Sequence, residues 1–333
     1  MNSPKSPHEP LEPQQHWAHL PENTFAWGIR LLLWVRRHLG AWPLIFCLYP
    51  VVLCYWACNA RARAASLQYL NRLEEHSHTL GHQASHLDTF KHFIAFAETI
   101  MDKLLAISNE PITIQKKGTQ GLLDLFEQQR GAIIVTAHIG CLELCRVSAE
   151  NNSKIRKLNV LVHTAHAQRF NRLLKQLQPN SPVELLQVSE FSTATAVMLA
   201  QKIEQGECVA IAGDRVPLGH GLSIPASFLG HEAMFPAGPY ILAATLKCPL
   251  YAMTCIRAPY LSRKYHYQIQ AQCLAEHISL PRKTRQQALM HYAQLYAHWL
   301  ENQLQSAPLS WFNYFDFWQQ GQTNPMPTKT PTA

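Results

Sequence analysis

Residues 131–143 read GAIIVTAHIGCLE, an apolar β-type run that leads directly into His138, then Gly140, then Glu143 at the start of an apolar helix. The same texture repeats downstream. Short β-rich runs at 132–137, 158–163, 184–188, 208–213 and 249–256 alternate with helical stretches near 141–149, 169–177, 194–205 and 239–246. Strands separated by helix-sized segments predict βαβ units, and so an α/β fold with a mainly parallel sheet flanked by helices. A long helix over about 282–305 and an aromatic run at 311–318 follow. The polar stretch at 321–333 reads as a disordered tail.

Upstream of the sheet, residues 60–108 read as helical, with Gly81 as the break and apolar positions that include Leu80, Phe90, Phe93, Ile94 and Ile100. Residues 41–58 (AWPLIFCLYPVVLCYWAC) carry no charge over 18 positions. As a helix this run would be about 27 Å long, against roughly 30 Å for a bilayer core. Pro43 and Pro50 interrupt it, and Arg36, Arg37, Arg61 and Arg63 make both flanks positive, so the charge rule gives no orientation. A kinked helix dipping into one leaflet satisfies both flanks on the cytosolic side; a full span stays open, and a buried core helix is the plainer alternative. Residues 1–26 are Pro-, His- and Gln-rich and polar, which reads as a disordered leader rather than a cleavable signal peptide.

Composition narrows the function classes. Apolar residues make up 47% of the 333, but charged residues only 15%, where about 25% is usual. That deficit argues against disorder of the chain as a whole and suggests that part of the surface does not face water. The formal charge of +7 comes from scattered basic residues, which fits an anionic membrane surface better than nucleic acid. Nine cysteines, an odd number without a C-x-x-C pair, indicate neither a disulfide framework nor a zinc ribbon. A reducing, cytosol-facing body follows.

The chemistry centres on His138. In continuous helix, five residues would separate His138 and Glu143 by about 140° around the axis. They meet only if His138 lies on the strand-to-helix turn, which Gly140 makes sterically easy. That places both at the C-terminal edge of a parallel sheet, where such folds keep their sites. A glutamate on one imidazole nitrogen fixes the tautomer, and the other nitrogen can then take a proton from an alcohol. A serine hydrolase would need a G-x-S-x-G elbow, which is missing. Cys141 is a rival nucleophile, although cysteines in apolar helices are usually inert packing. His78, His82 and His86 are spaced i, i+4, i+8, but Gly81 divides them and no H-E-x-x-H occurs, so a solvated helix face is the better reading.

The pattern H-x4-E after an N-terminal hydrophobic segment resembles the lysophospholipid acyltransferase superfamily, and within it the lipid A lauroyl/myristoyl acyltransferase branch. The runs that begin at Gly28 (GIRLLLW) and Leu48 (LYPVVL) look like that family's membrane-proximal start. Ala212-Gly213-Asp214-Arg215-Val216-Pro217 looks like its second block. Phe228-Leu229-Gly230 with Phe235-Pro236-Ala237-Gly238-Pro239 looks like the third, and Trp311-Phe312-Asn313-Tyr314-Phe315 like the aromatic ending. Phospholipid-type members carry Asp where this chain has Glu143, which favours the lipid A-like branch. Cys141-Leu142 replaces the commoner Asn-Trp, so the resemblance leaves the acceptor open.

The resemblance implies transfer of an acyl chain from a thioester, acyl carrier protein or acyl-CoA, to a hydroxyl of a lipid acceptor. It implies no cofactor or metal, and location at the cytoplasmic face of the inner membrane. His138 would be the general base and Glu143 its orienting partner. Arg169, Asp214, Arg215 and Gly140 would be the substrate-binding residues: the arginines for an oxyanion or anionic acceptor, Asp214 for acceptor hydroxyls. The expected organisation is a leader (1–26), a membrane-associated helical segment (27–60) and one acyltransferase domain (61–320), whose helical lead-in (61–130) precedes the α/β body (131–320). The alternatives are a non-catalytic lipid-binding protein of the same fold and a membrane-associated thioesterase or hydrolase.

Overall fold

The structure, a computed structural model, describes residues 34–35, 38–40, 42–108, 112–145, 157–162, 183–187, 193–216, 222–257 and 266–320. Its centre is a seven-stranded sheet. The strands are β1 (Thr113–Lys117), β2 (Ile133–Thr136), β3 (Leu158–Val162), β4 (Val183–Gln187), β5 (Cys208–Ala212), β8 (Leu250–Arg257) and β9 (His266–Ala275). Between β5 and β8 in sequence, β6 (Ser223–Phe228) and β7 (His231–Pro236) form a separate antiparallel hairpin. The sheet order is β1-β9-β8-β2-β5-β3-β4. Every neighbouring pair runs parallel except β8 and β9, so the expected mainly parallel sheet is present.

β2 sits in the middle, and all four of its residues are buried, which is why its sequence is a continuous apolar run rather than an alternation. Ile133 and Val135 point into one core layer, Ile134 into the other. The larger layer is built by α2 (Ala60–Ser77), α5 (Thr193–Glu204), α6 (Gly238–Leu246), α7 (Arg285–Ser306) and the hairpin. The smaller packs α4 (Gln120–Glu127) against the opposite face. Trp311, Phe317 and Trp318 close the larger layer with Phe228 of the hairpin in a run of edge-on and tilted ring contacts.

The helical lead-in divides where the sequence suggested, between α2 and α3 (His86–Ser108). His78 ends α2 in the left-handed conformation, with φ 52°. The Glu74 carboxylate accepts the amides of Leu80 and Gly81. α3 opens on a reciprocal cap: the Ser85 hydroxyl accepts from the Asp88 amide at 3.3 Å and the Asp88 carboxylate accepts from the Ser85 amide at 3.0 Å. His82 is spent on that same carboxylate. Among the described residues no cluster of histidine, cysteine, aspartate or glutamate could hold a metal ion.

The uncharged run forms α1 (Trp42–Cys58), with Pro50 inside it. Leu44 and Val52 are buried, and Val52 packs with Ala62 of α2 and Phe93, Ile94 and Ala97 of α3. The Trp56 indole donates to the Thr89 hydroxyl at 2.9 Å. One side of the helix stays bare: Trp42 is 74% and Phe46 79% exposed, and Val51, Leu53 and Tyr55 are also exposed. Among the described residues no single helix is long and apolar enough to cross a membrane; α1 and α2 together pass by length and composition, but with a 93° bend between them. The leader, most of 27–41, the tail and the expected helix at 169–177 lie outside the described residues.

Candidate active site

The site forms where two neighbouring strands end side by side. Thr136 of β2 is in register with Ala212 of β5. Two residues further along each chain, His138 and Asp214 are therefore brought together. The imidazole Nδ1 lies 2.9 Å from Asp214 Oδ1, and the His138 amide donates to Oδ2 at 2.9 Å. Asp214 Oδ2 also accepts from the Trp311 indole at 3.0 Å and from the Asn313 amide group at 3.1 Å. Asp214 has no exposed surface, whereas the His138 side chain is 37% exposed. A carboxylate only accepts, so Nδ1 carries the proton and the Nε2 lone pair faces away from Asp214.

Residues 310–313 run alongside 138–140 as a short antiparallel addition. Gly140 donates to the Ser310 carbonyl at 2.9 Å, and Phe312 donates to the His138 carbonyl at 2.8 Å. Trp311 forms a bridge with Ile139. Gly140 has φ +61°, and a Cβ there would stand 2.0 Å from the Cys255 carbonyl oxygen, so the turn tolerates no side chain. The next amide, Cys141, donates to that carbonyl at 2.8 Å.

Glu143 is not the imidazole's partner. Its carboxylate meets the Lys103 ammonium at 2.8 Å and accepts a weak bond from the Cys141 thiol at 3.4 Å. Burial alone would raise the Glu143 pKa, but the charge and hydrogen bond of Lys103 outweigh it and hold the group below its ordinary value. The physical reason for the correction is strand order. Asp214 ends the strand beside β2, while α3 brings Lys103 to Glu143 from the other side.

Asp214 likewise departs from the expected contact with acceptor hydroxyls, because it is fully enclosed and both oxygens are used inside the protein. The Arg215 side chain remains exposed, yet its Nε donates to Asn313 at 2.8 Å and a terminal nitrogen to the Phe312 carbonyl at 2.9 Å. Gly140 serves the turn. Arg169 lies outside the described residues. Cys141 is buried, and burial pushes its thiol well above the ordinary value, which is poor preparation for a nucleophile.

A small recess opens beside the turn, lined by Gly140, Cys141, Ser310, and Glu98 and Asp102 of α3. Arg257, at the end of β8, pairs there with Glu98 at 3.0 Å and with Asp102. Burial disfavours the guanidinium charge, but the two carboxylates more than restore it.

A sequence model described as bacterial lipid A biosynthesis acyltransferase matches residues 89–319, well over half of the chain. The chain belongs to this family. The match spans the sheet, the hairpin and the aromatic ending, and leaves α1 and α2 outside. No curated protein matches the chain. Membership gives the protein acyltransferase activity in general terms, with an acyl donor and a lipid acceptor.

Proposed function

We propose that the protein transfers a fatty acyl group from an acyl thioester to a hydroxyl of a membrane lipid, with His138 as general base and Asp214 as the group that orients it. The observation that carries this reading is the enclosed Asp214 carboxylate on Nδ1 of a partly exposed imidazole. With Nδ1–H held, Nε2 takes the proton of the acceptor hydroxyl. The oxygen attacks the thioester carbonyl, a tetrahedral oxyanion forms, and the C–S bond breaks. The proton then passes from Nε2 to the departing thiolate. No acyl-enzyme is needed.

The oxyanion needs donors that are free to face it. The amides of His138, Gly140 and Cys141 are already used by Asp214, Ser310 and Cys255. A side-chain charge can supply it, and Arg169 and Arg215 are the candidates the sequence offers. The bare apolar side of α1 supports docking onto one leaflet at the cytoplasmic face of the inner membrane. Nine free cysteines agree with a reducing compartment. Acyl carrier protein is the preferred donor, with acyl-CoA as the alternative.

The test is thiol release from palmitoyl carrier protein or palmitoyl-CoA in the presence of vesicles made from a total bacterial lipid extract. His138→Ala is expected to lose about 10²–10⁴ in rate. A folded His138→Ala protein with wild-type turnover would overturn the assignment.

A further inference from the structure

His92 lies near the start of α3, has no exposed surface, and plays no part in the chemistry above. Its Nε2 is 2.8 Å from the Trp311 carbonyl oxygen, which can only accept, so Nε2 carries the proton. Nδ1 then accepts from the Ser66 hydroxyl of α2 at 2.9 Å. Burial lowers the pKa of this imidazole to about 4, so it stays neutral at working pH. The ring lies against Phe312 and Tyr314, and the Tyr314 hydroxyl donates to the His92 carbonyl at 2.9 Å. A histidine used only to fill this apolar space could be replaced by phenylalanine. Phenylalanine would lack both the donor to Trp311 and the acceptor for Ser66, and of the two it is the donor that leads towards the site.

That donor matters because of what Trp311 does next. Its indole N–H reaches Asp214 Oδ2, and its neighbour Phe312 bonds the His138 carbonyl. We infer that His92 is a positioning residue for acyl transfer: by fixing the Trp311 backbone it aims the indole at Asp214, and Asp214 in turn holds the His138 ring. The inference rests on the reading of His138 as base. It extends the catalytic constellation into the helical lead-in, through a continuous path from Ser66 to His92, Trp311, Asp214 and His138.

The test compares His92→Phe, which keeps the bulk and removes the donor, with His92→Gln, whose amide nitrogen can replace Nε2. Each is made alone and in an Asp214→Asn background, with thiol release from the same palmitoyl thioester as readout. Loss of alignment at a reacting group of this kind costs roughly tenfold to a hundredfold. His92→Phe is expected to lower kcat by that factor with KM nearly unchanged, and His92→Gln to recover most of it. In the Asp214→Asn background His92→Phe should add no further loss, because the path it serves is already cut. A merely structural role would instead give additive losses and no rescue by glutamine.

Should His92→Phe fail to fold, His92→Met carries the comparison, since its flexible side chain fills the gap without a donor. Full kcat in a folded donor-less variant, failure of His92→Gln to restore kcat, or additive losses would overturn the inference. His138→Ala in the same assay keeps the two readings apart. If His138→Ala retains activity the base assignment fails. If it is inactive while His92→Phe keeps full kcat, only the role of His92 fails.

Discussion

Asp214 spends its carboxylate entirely inside the protein, on one imidazole, one backbone amide, one indole and one carboxamide. Burial alone would raise its pKa. The charge and hydrogen bond of His138, followed by Arg215 and the His138 amide, outweigh burial and hold it well below the usual carboxylate range. A carboxyl depressed on folding contributes stability that is fully present above its unfolded pKa, about 3.9, and is lost as pH falls through the folded value. Asp214→Asn is expected to cost on the order of 1–3 kcal/mol at pH 7. The gap to wild type should shrink once the pH drops below about 4. Urea midpoints at pH 7 and pH 3 measure this; a gap of equal size at both would count against it. The sequence marks Asp214 within the Ala212–Pro217 block, and marks His138. It could not pair them, because Asp214 lies 76 residues from His138 and meets it only through the order of strands. Glu143, five positions away, was the nearest visible acid.

At the scale of elements, continuous apolar runs were legible and polar or alternating ones were not. The five expected strands are present to within a residue or two at each end, and α5, α6 and α7 fall where expected to within about three residues. β1 escaped notice because it is an edge strand, TIQKK, with almost no buried surface. β9 does alternate, with Tyr267, Ile269 and Ala271 turned inward, but His266 and three glutamines interrupt its apolar residues. Only eight residues separate it from β8, too few for a helical crossover, so this pair runs antiparallel. The uncharged run is helical, as α1, and its exposed side chains give an element-level prediction. Phe46→Glu with Val51→Glu should sharply reduce co-sedimentation with phosphatidylglycerol vesicles. Thermal stability should barely change, since both side chains face away from the packed side. Undiminished pelleting would argue against docking through α1.

The molecule as a whole is closed by its late residues. Tyr69 of α2 donates to the Pro308 carbonyl across 239 positions of sequence, and His92 reaches Trp311 across 219. Trp311 has no exposed surface and packs edge-on against Tyr69, Phe228 and Phe317. A chain ending at Ser306 is therefore expected to be cleaved rapidly by a nonspecific protease under conditions in which the full chain resists. Equal resistance of the two would show that the aromatic ending is an accessory. Contacts this distant in sequence also form late in folding. Ribosomal synthesis runs from α1 towards Trp311, so the segment suited to a lipid surface is made first and the residues that hold Asp214 are made last. A nascent chain thus lacks the full set of donors that hold Asp214 beside His138 until translation has passed Asn313. An interrupted message would leave a protease-sensitive fragment without the Trp311 and Asn313 bonds to Asp214.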